Sequence, residues 1–165
     1  MHKFYRFSAL FLILFLSQGI LLLNPAIAED KVFRTDYTEI HYPSDETFCD
    51  FLWRISGDKR NLSEDPTLAK SKIDRIVERV QSILDMYPDN FHIRIDLYPV
   101  YEGGLIASYS HKNRSLKIFA DRVTDGVLAH EIAHAVISVY FPQPPPIKIQ
   151  EILTQYVDKH LWDDY

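Results

Sequence analysis

The sequence predicts an α+β fold: a mixed sheet of three or four strands, a long backing helix, and two further helices toward the C-terminus. Three patterns lead there. Residues 91–99, FHIRIDLYP, alternate Phe91, Ile93, Ile95 and Leu97 with His92, Arg94, Asp96 and Tyr98, the two-residue period of a half-buried strand. After Pro66 the apolar residues Leu68, Ile73, Ile76, Val77, Val80, Ile83 and Leu84 recur at three and four positions, which predicts one face of a long helix ending before Pro88. LIASYS and SLKIFA flank HKNR, the pattern of a β-hairpin with a four-residue loop.

The chain opens with Lys3 and Arg6 ahead of an apolar run from Ala9 to Leu23, followed by Ala26 and Ala28 just before Glu29. A basic start, an apolar stretch and small residues at an A-x-A site form the plan of a signal peptide, with cleavage expected after Ala28. Residues 1–28 are therefore expected to be the export signal and residues 29–165 one domain, secreted or periplasmic. Retention of the segment as a membrane anchor is the alternative. Removing it takes away Lys3 and Arg6 and no acidic residue, so the formal charge goes from −5 to −7. An acidic chain without a basic stripe is a poor nucleic-acid binder. A single cysteine, Cys49, excludes a disulfide scaffold within the chain; it is expected to be a small buried hydrophobe on a helix.

Along the mature part, residues 32–42, VFRTDYTEIHY, read as one strand stopped by Pro43. Ser44 or Asp45 can cap a short helix carrying Phe48, Phe51, Leu52 and Ile55 that ends near Gly57. DKRNLSEDP, residues 58–66, is a polar loop. Thr124 or Asp125 can cap a helix from about Gly126 to Phe141, which PQPPP terminates. A last helix, roughly Lys148 to Trp162, carries Ile149, Ile152, Leu153, Tyr156 and Val157 on one side, expected to face the core. His41 and His92 have no spaced partner and read as surface or structural residues.

The helix after Thr124 contains HEIAH, residues 130–134. Positions i and i+4 lie one turn apart on the same face, so His130 and His134 can present two imidazoles to one metal ion. Glu131, rotated from His130 by about a quarter turn or slightly more, can reach a water on that metal without ligating it. Two histidines and a third protein ligand leave the fourth position of zinc open for water, and Glu131 can serve as general base. A chance HExxH arises roughly once in a few hundred chains of this length. Context lowers that further: between Asp125 and Glu151 the only acidic residue is Glu131, a costly group on so apolar a helix unless something cationic faces it.

VLAHEIAHAV, residues 127–136, resembles the active-site helix of the HExxH metallopeptidases of the zincin group, and of thermolysin-like enzymes in particular. The metzincin branch would need glycine at Ile137 and histidine at Tyr140. The resemblance is therefore to the gluzincin (peptidase MA-like) branch, in a minimal single-domain form, with motif support over residues 115–160. It implies a zincin-like fold with an HExxH helix and a C-terminal glutamate helix. It implies one zinc ion held by His130, His134 and Glu151 of IQEILTQYVDKH, with Asp158 and His160 as other possible third ligands. It also implies peptide-bond hydrolysis.

The gluzincin pattern commonly places an aspartate four residues after the ligand glutamate to orient a zinc-binding histidine. Gln155 stands there instead, and Asp158, also on the Glu151 face, is the substitute. The family pairs extended peptide substrates with an exposed strand, for which 115–120 is the expected segment. Tyr109, His111, Tyr156 and His160 are the possible oxyanion partners, Tyr156 lying toward the apolar side. The chain has little length for a second subdomain, so the cleft is either shallow or completed by a protein partner. The reading from another class is a noncatalytic, zinc-stabilised binding or assembly module.

Overall fold

The computed structural model describes residues 30–57 and 62–163. The expected signal segment and residues 58–61 of the polar loop lie outside them. No helix among the described residues is long and apolar enough to cross a membrane.

The α+β architecture is present, with a five-stranded mixed sheet and four helices. The strands are β1 (Lys31–Arg34), β2 (Thr38–Tyr42), β3 (Ile93–Tyr98), β4 (Ala107–Ser110) and β5 (Ser115–Phe119), in the order β1-β2-β3-β5-β4. The pairs β2–β3 and β3–β5 are parallel, while β1 and β4 are antiparallel edges. The helices are α1 (Asp45–Ile55), α2 (Pro66–Leu84), α3 (Asp125–Tyr140) and α4 (Ile147–His160). Residues Leu62–Glu64 add one 3-10 turn.

Local chemistry accounts for most boundaries. Ser44, Asp65 and Thr124 accept backbone N–H bonds at the starts of α1, α2 and α3, and Pro66 opens α2, where the missing N–H costs nothing. Alternation along β3 buries Ile93, Ile95 and Leu97 and leaves Arg94 and Tyr98 exposed. Those apolar side chains join Ile40, Leu116 and Ile118 in one core with Phe51, Leu52 and Ile55 of α1 and Leu128 and Ile132 of α3. The long helix α2 packs along α3 and α4.

Four expectations are corrected. The single strand expected over 32–42 is two strands, which is why the sheet has five rather than three or four. The Thr35 hydroxyl accepts from the backbone N–H groups of Tyr37 and Thr38 at 3.2 and 2.9 Å, while the Thr35 N–H donates to the Thr38 carbonyl at 2.9 Å. A side-chain-closed turn of this kind interrupts an alternating pattern without glycine or proline.

The segment 115–120 is not an exposed strand, because β5 is paired on both sides. The edge on that side of the sheet is β4, its hairpin partner.

Cys49 is exposed rather than buried. On α1 it stands off the stripe of Thr47, Phe51, Leu52 and Ile55 that enters the core.

Helix α4 is rotated relative to expectation. Thr154, Val157 and, just past its end, Leu161 are buried, whereas Ile149, Ile152 and Tyr156 are 46, 61 and 51% exposed. Its seating is set by partners rather than by its most apolar face. Arg79 of α2 donates from Nε and Nη2 to the carbonyls of Leu161 and His160, both at 3.1 Å, satisfying acceptors that a helix end leaves open.

Candidate metal centre

The two histidines sit mid-helix on α3, one turn apart. His134 is buried and His130 partly so. Their ring centroids are 5.1 Å apart with planes inclined at 71°. Helix α4 follows after a short connection containing Pro142, Pro144, Pro145 and Pro146, and packs against α3. That packing carries Glu151 to the histidines: its Oε1 lies 3.4 Å from His134 Nε2 and its Oε2 3.8 Å from His130 Nε2. Ligand atoms of His130, His134 and Glu151 all lie within 4.8 Å of one another. The three side chains expected to share a metal are therefore together, as a triad that could hold an ion.

Each ring is held from behind. His130 Nδ1 is 2.9 Å from Asp158 Oδ2, and His134 Nδ1 is 3.3 Å from Gln150 Oε1. Gln150 Nε2 donates to the Pro145 carbonyl at 2.8 Å, which fixes the amide so that its oxygen faces the ring. Carboxylate and amide oxygens only accept, so both Nδ1 atoms carry the proton and both Nε2 lone pairs are left for a metal. Outer hydrogen bonds of this kind orient ligating histidines and raise their basicity.

Asp158 thus binds His130 from the side away from Glu151, so it holds a histidine of the triad rather than taking the place of Glu151. Gln155, where the family pattern has its aspartate, is exposed. His160 pairs with Asp163 and is not among the clustered residues. Gln150 has no counterpart in the sequence reading; its only signal is its place immediately before Glu151.

Glu131 is half-buried beside the triad. Burial pushes its carboxyl above the usual carboxylate range, opposed by the charges of His134 and His130 and by a backbone hydrogen bond from Tyr109, and reinforced by Glu151. Desolvation disfavours the charged form. The costly lone carboxylate expected on this helix is met by the two imidazoles and an edge-strand N–H.

A groove runs between β4 and α3. A cavity of about 320 Å³ is lined by Leu105, Ala107, Ser108 and Tyr109 on one side and by the triad, Glu131 and Ile147 on the other. A second, of about 470 Å³, adjoins it beside His130 and Glu131 and is walled by Leu105, Ile106, Ala107, Gly126 and Val127. Of the four possible oxyanion partners, Tyr109 alone lines the cavity beside the triad among the described residues. Its side chain bonds Ser138, and burial raises its phenol above the usual tyrosine range. His111 is exposed in the hairpin turn and Tyr156 is on the outer face of α4, so the expectation that Tyr156 lies toward the core is also corrected.

Comparison of the chain with protein-family models, with curated proteins and with solved structures gives no match.

Proposed function

We propose that this protein is an exported zinc-dependent metallopeptidase of gluzincin type, with His130, His134 and Glu151 as metal ligands and Glu131 as general base. The observation that carries the proposal is the meeting of the three ligands beside Glu131 at the foot of a groove with a free strand edge. The donor set suits zinc: two imidazole nitrogens and one carboxylate oxygen would hold the ion, a set that in catalytic zinc sites leaves room for water. Bond lengths near 2.1 Å in a tetrahedron put neighbouring donors roughly 3.4 Å apart, close to the 3.4 and 3.8 Å between Glu151 and the two histidines. When bound, zinc supplies Lewis acidity, which acidifies a coordinated water and polarises a carbonyl.

The chain's own residues account for the rest. Glu131 takes the proton released as water oxygen bonds to the peptide carbonyl carbon. It then delivers that proton to the nitrogen as the C–N bond breaks, leaving a carboxylic acid whose remaining proton passes to the amine, so that the products are a carboxylate and an ammonium group. Asp158 and Gln150 hold the rings in register throughout.

The peptide-pairing role expected of 115–120 passes to β4. The Ile106 carbonyl accepts from the Phe119 N–H at 3.0 Å, and hydrogen-bonded and non-bonded pairs alternate along an antiparallel ladder. The backbone groups of Ala107 and Tyr109 therefore turn to the free edge, consistent with the Tyr109 bond to Glu131. Ala107 remains to pair with an extended substrate along the cavity that the triad lines.

The test is hydrolysis of a mixed peptide library by the zinc-loaded protein, compared with Glu131→Gln. Cleavage lost in the variant, with zinc and fold retained, supports the enzyme. Zinc binding with no cleavage by the parent supports a zinc-stabilised binding module instead.

A further inference from the structure

Helix α4 shows two opposed faces. Val157 and Leu161 enter the core, and Glu151 and Asp158 turn toward α3. On the other side Ile149, Ile152 and Tyr156 are 46, 61 and 51% exposed, with Leu153 partly exposed beside them. Positions i, i+3, i+4 and i+7 fall on one stripe, so these side chains form a largely solvent-facing apolar strip, with the His160 ring against that of Tyr156 at 4.3 Å between centroids. A solvent-facing strip of large aliphatic and aromatic groups marks a contact surface.

Charge indicates what contacts it. At 100° per residue, Lys148 and Lys159 border the strip on one side, both exposed. Neither carboxylate of α4 lies in that arc, since Glu151 and Asp158 both face the metal site. Past the helix, Asp163 contacts His160 and adds one carboxylate at the C-terminal end of the strip. In a chain of net charge −5, the arc of α4 beside the strip thus carries two lysines and no carboxylate.

We propose that the outer face of α4 docks on an anionic lipid surface, going beyond the proposed activity and independent of it. Aliphatic side chains and an amphipathic tyrosine suit the boundary between headgroups and acyl chains, while lysines bordering the strip reach anionic headgroups by snorkelling. The export or anchor segment expected at residues 1–28 brings the same chain to a bilayer. A second copy fits less well: a two-fold axis crossing the strip pairs the helices antiparallel and sets Lys148 of one against Lys159 of the other. The strip lies on the far side of α4 from Glu151 and Asp158, so docking leaves the groove open to water.

The test uses the full chain carrying Cys49→Ser and Ile152→Cys, the new thiol labelled with an environment-sensitive fluorophore. Phosphatidylcholine vesicles are added with or without phosphatidylglycerol, and a label at exposed His92 serves as control. Reading the signal at position 152 separates docking of α4 from binding through the N-terminal segment. The proposal expects a blue shift and a several-fold emission gain at position 152 on phosphatidylglycerol vesicles, with little change at 92. It also expects that gain to be lost when Lys148→Glu and Lys159→Glu are added. A label that stays water-exposed on vesicles that retain the protein overturns the proposal. So does an equal response on both vesicle types, or a shift that needs no vesicles and grows with protein concentration, the mark of self-association.

Discussion

Asp158 Oδ2 lies 2.9 Å from His130 Nδ1, two helical turns along α4 from Glu151, whose carboxylate faces Nε2 of the same ring. One helix thus supplies both the third member of the triad and the carboxylate that orients the first. A spacing of seven residues returns to nearly the same face of an α-helix, as a spacing of four does. This explains how the site keeps an orienting carboxylate although Gln155 occupies the position where the gluzincin pattern has one.

Asp158→Ala is expected to weaken zinc binding about 10- to 100-fold, the usual cost of losing such a partner, and Asp158→Asn less. The Asp158 side chain is 42% exposed, so the fold should survive. Chelator competition followed by dichroism measures both; unchanged affinity in Asp158→Ala would show that the contact with His130 does not support the metal.

Gln150→Leu removes the acceptor from His134 Nδ1. In the parent, nitrogen NMR of the metal-free protein at neutral pH should report the Nδ1–H tautomer of His134. In the variant the two tautomers should mix, and zinc affinity should fall about 10-fold. A parent spectrum dominated by the Nε2–H form would refute the orientation described.

Glu131 gives the metal-free protein a specific pH dependence. Its folded carboxyl is raised from the ordinary value of 4.5, chiefly by burial, so between the unfolded and folded pKa the native state holds more protons than the unfolded chain. Stability from this group therefore falls as pH rises through that window and levels off above it. Urea midpoints of parent and Glu131→Gln, both stripped of metal, should diverge as pH rises above the ordinary carboxyl value of 4.5, with the variant gaining on the parent.

The rotation of α4 makes opposite demands on two aliphatic positions. Leu161→Ala, at a site 1% exposed, should cost about 2–5 kcal/mol. Ile152→Ser, at a site 61% exposed, should change stability by no more than about 0.5 kcal/mol. Reversed magnitudes in urea unfolding would restore the face that the sequence favours.

Where the sequence could be read and where it could not follows from the range of the interactions involved. HEIAH, the Thr124 cap and the spacing to Glu151 are local or semi-local, and helix geometry alone brings His130 and His134 to one side. The 107–119 hairpin and the α2 stripe are likewise carried by short-range periodicity. The Thr35 turn was hidden because one hydroxyl, not a glycine or proline, closes it. The face of α4 could not be deduced from its apolar residues, since Arg79 and the polar contacts of Gln150 and Asp158 seat the helix through partners distant in sequence. The position of β5 between β3 and β4 is a matter of topology, and alternation along a strand does not state what lies beside it. Gln150 needed the fold of the Pro142–Pro146 connection, which places the Pro145 carbonyl where it turns the amide.

Metal content tests the central claim most directly: elemental analysis of the purified chain after zinc loading and removal of loose ions, beside Glu151→Ala and His134→Ala. About one zinc per chain in the parent, and its loss in both variants while the helical signal persists, is the result predicted. Zinc kept in full by Glu151→Ala, or none in the parent, would contradict the three-residue centre and with it the hydrolytic site built upon it.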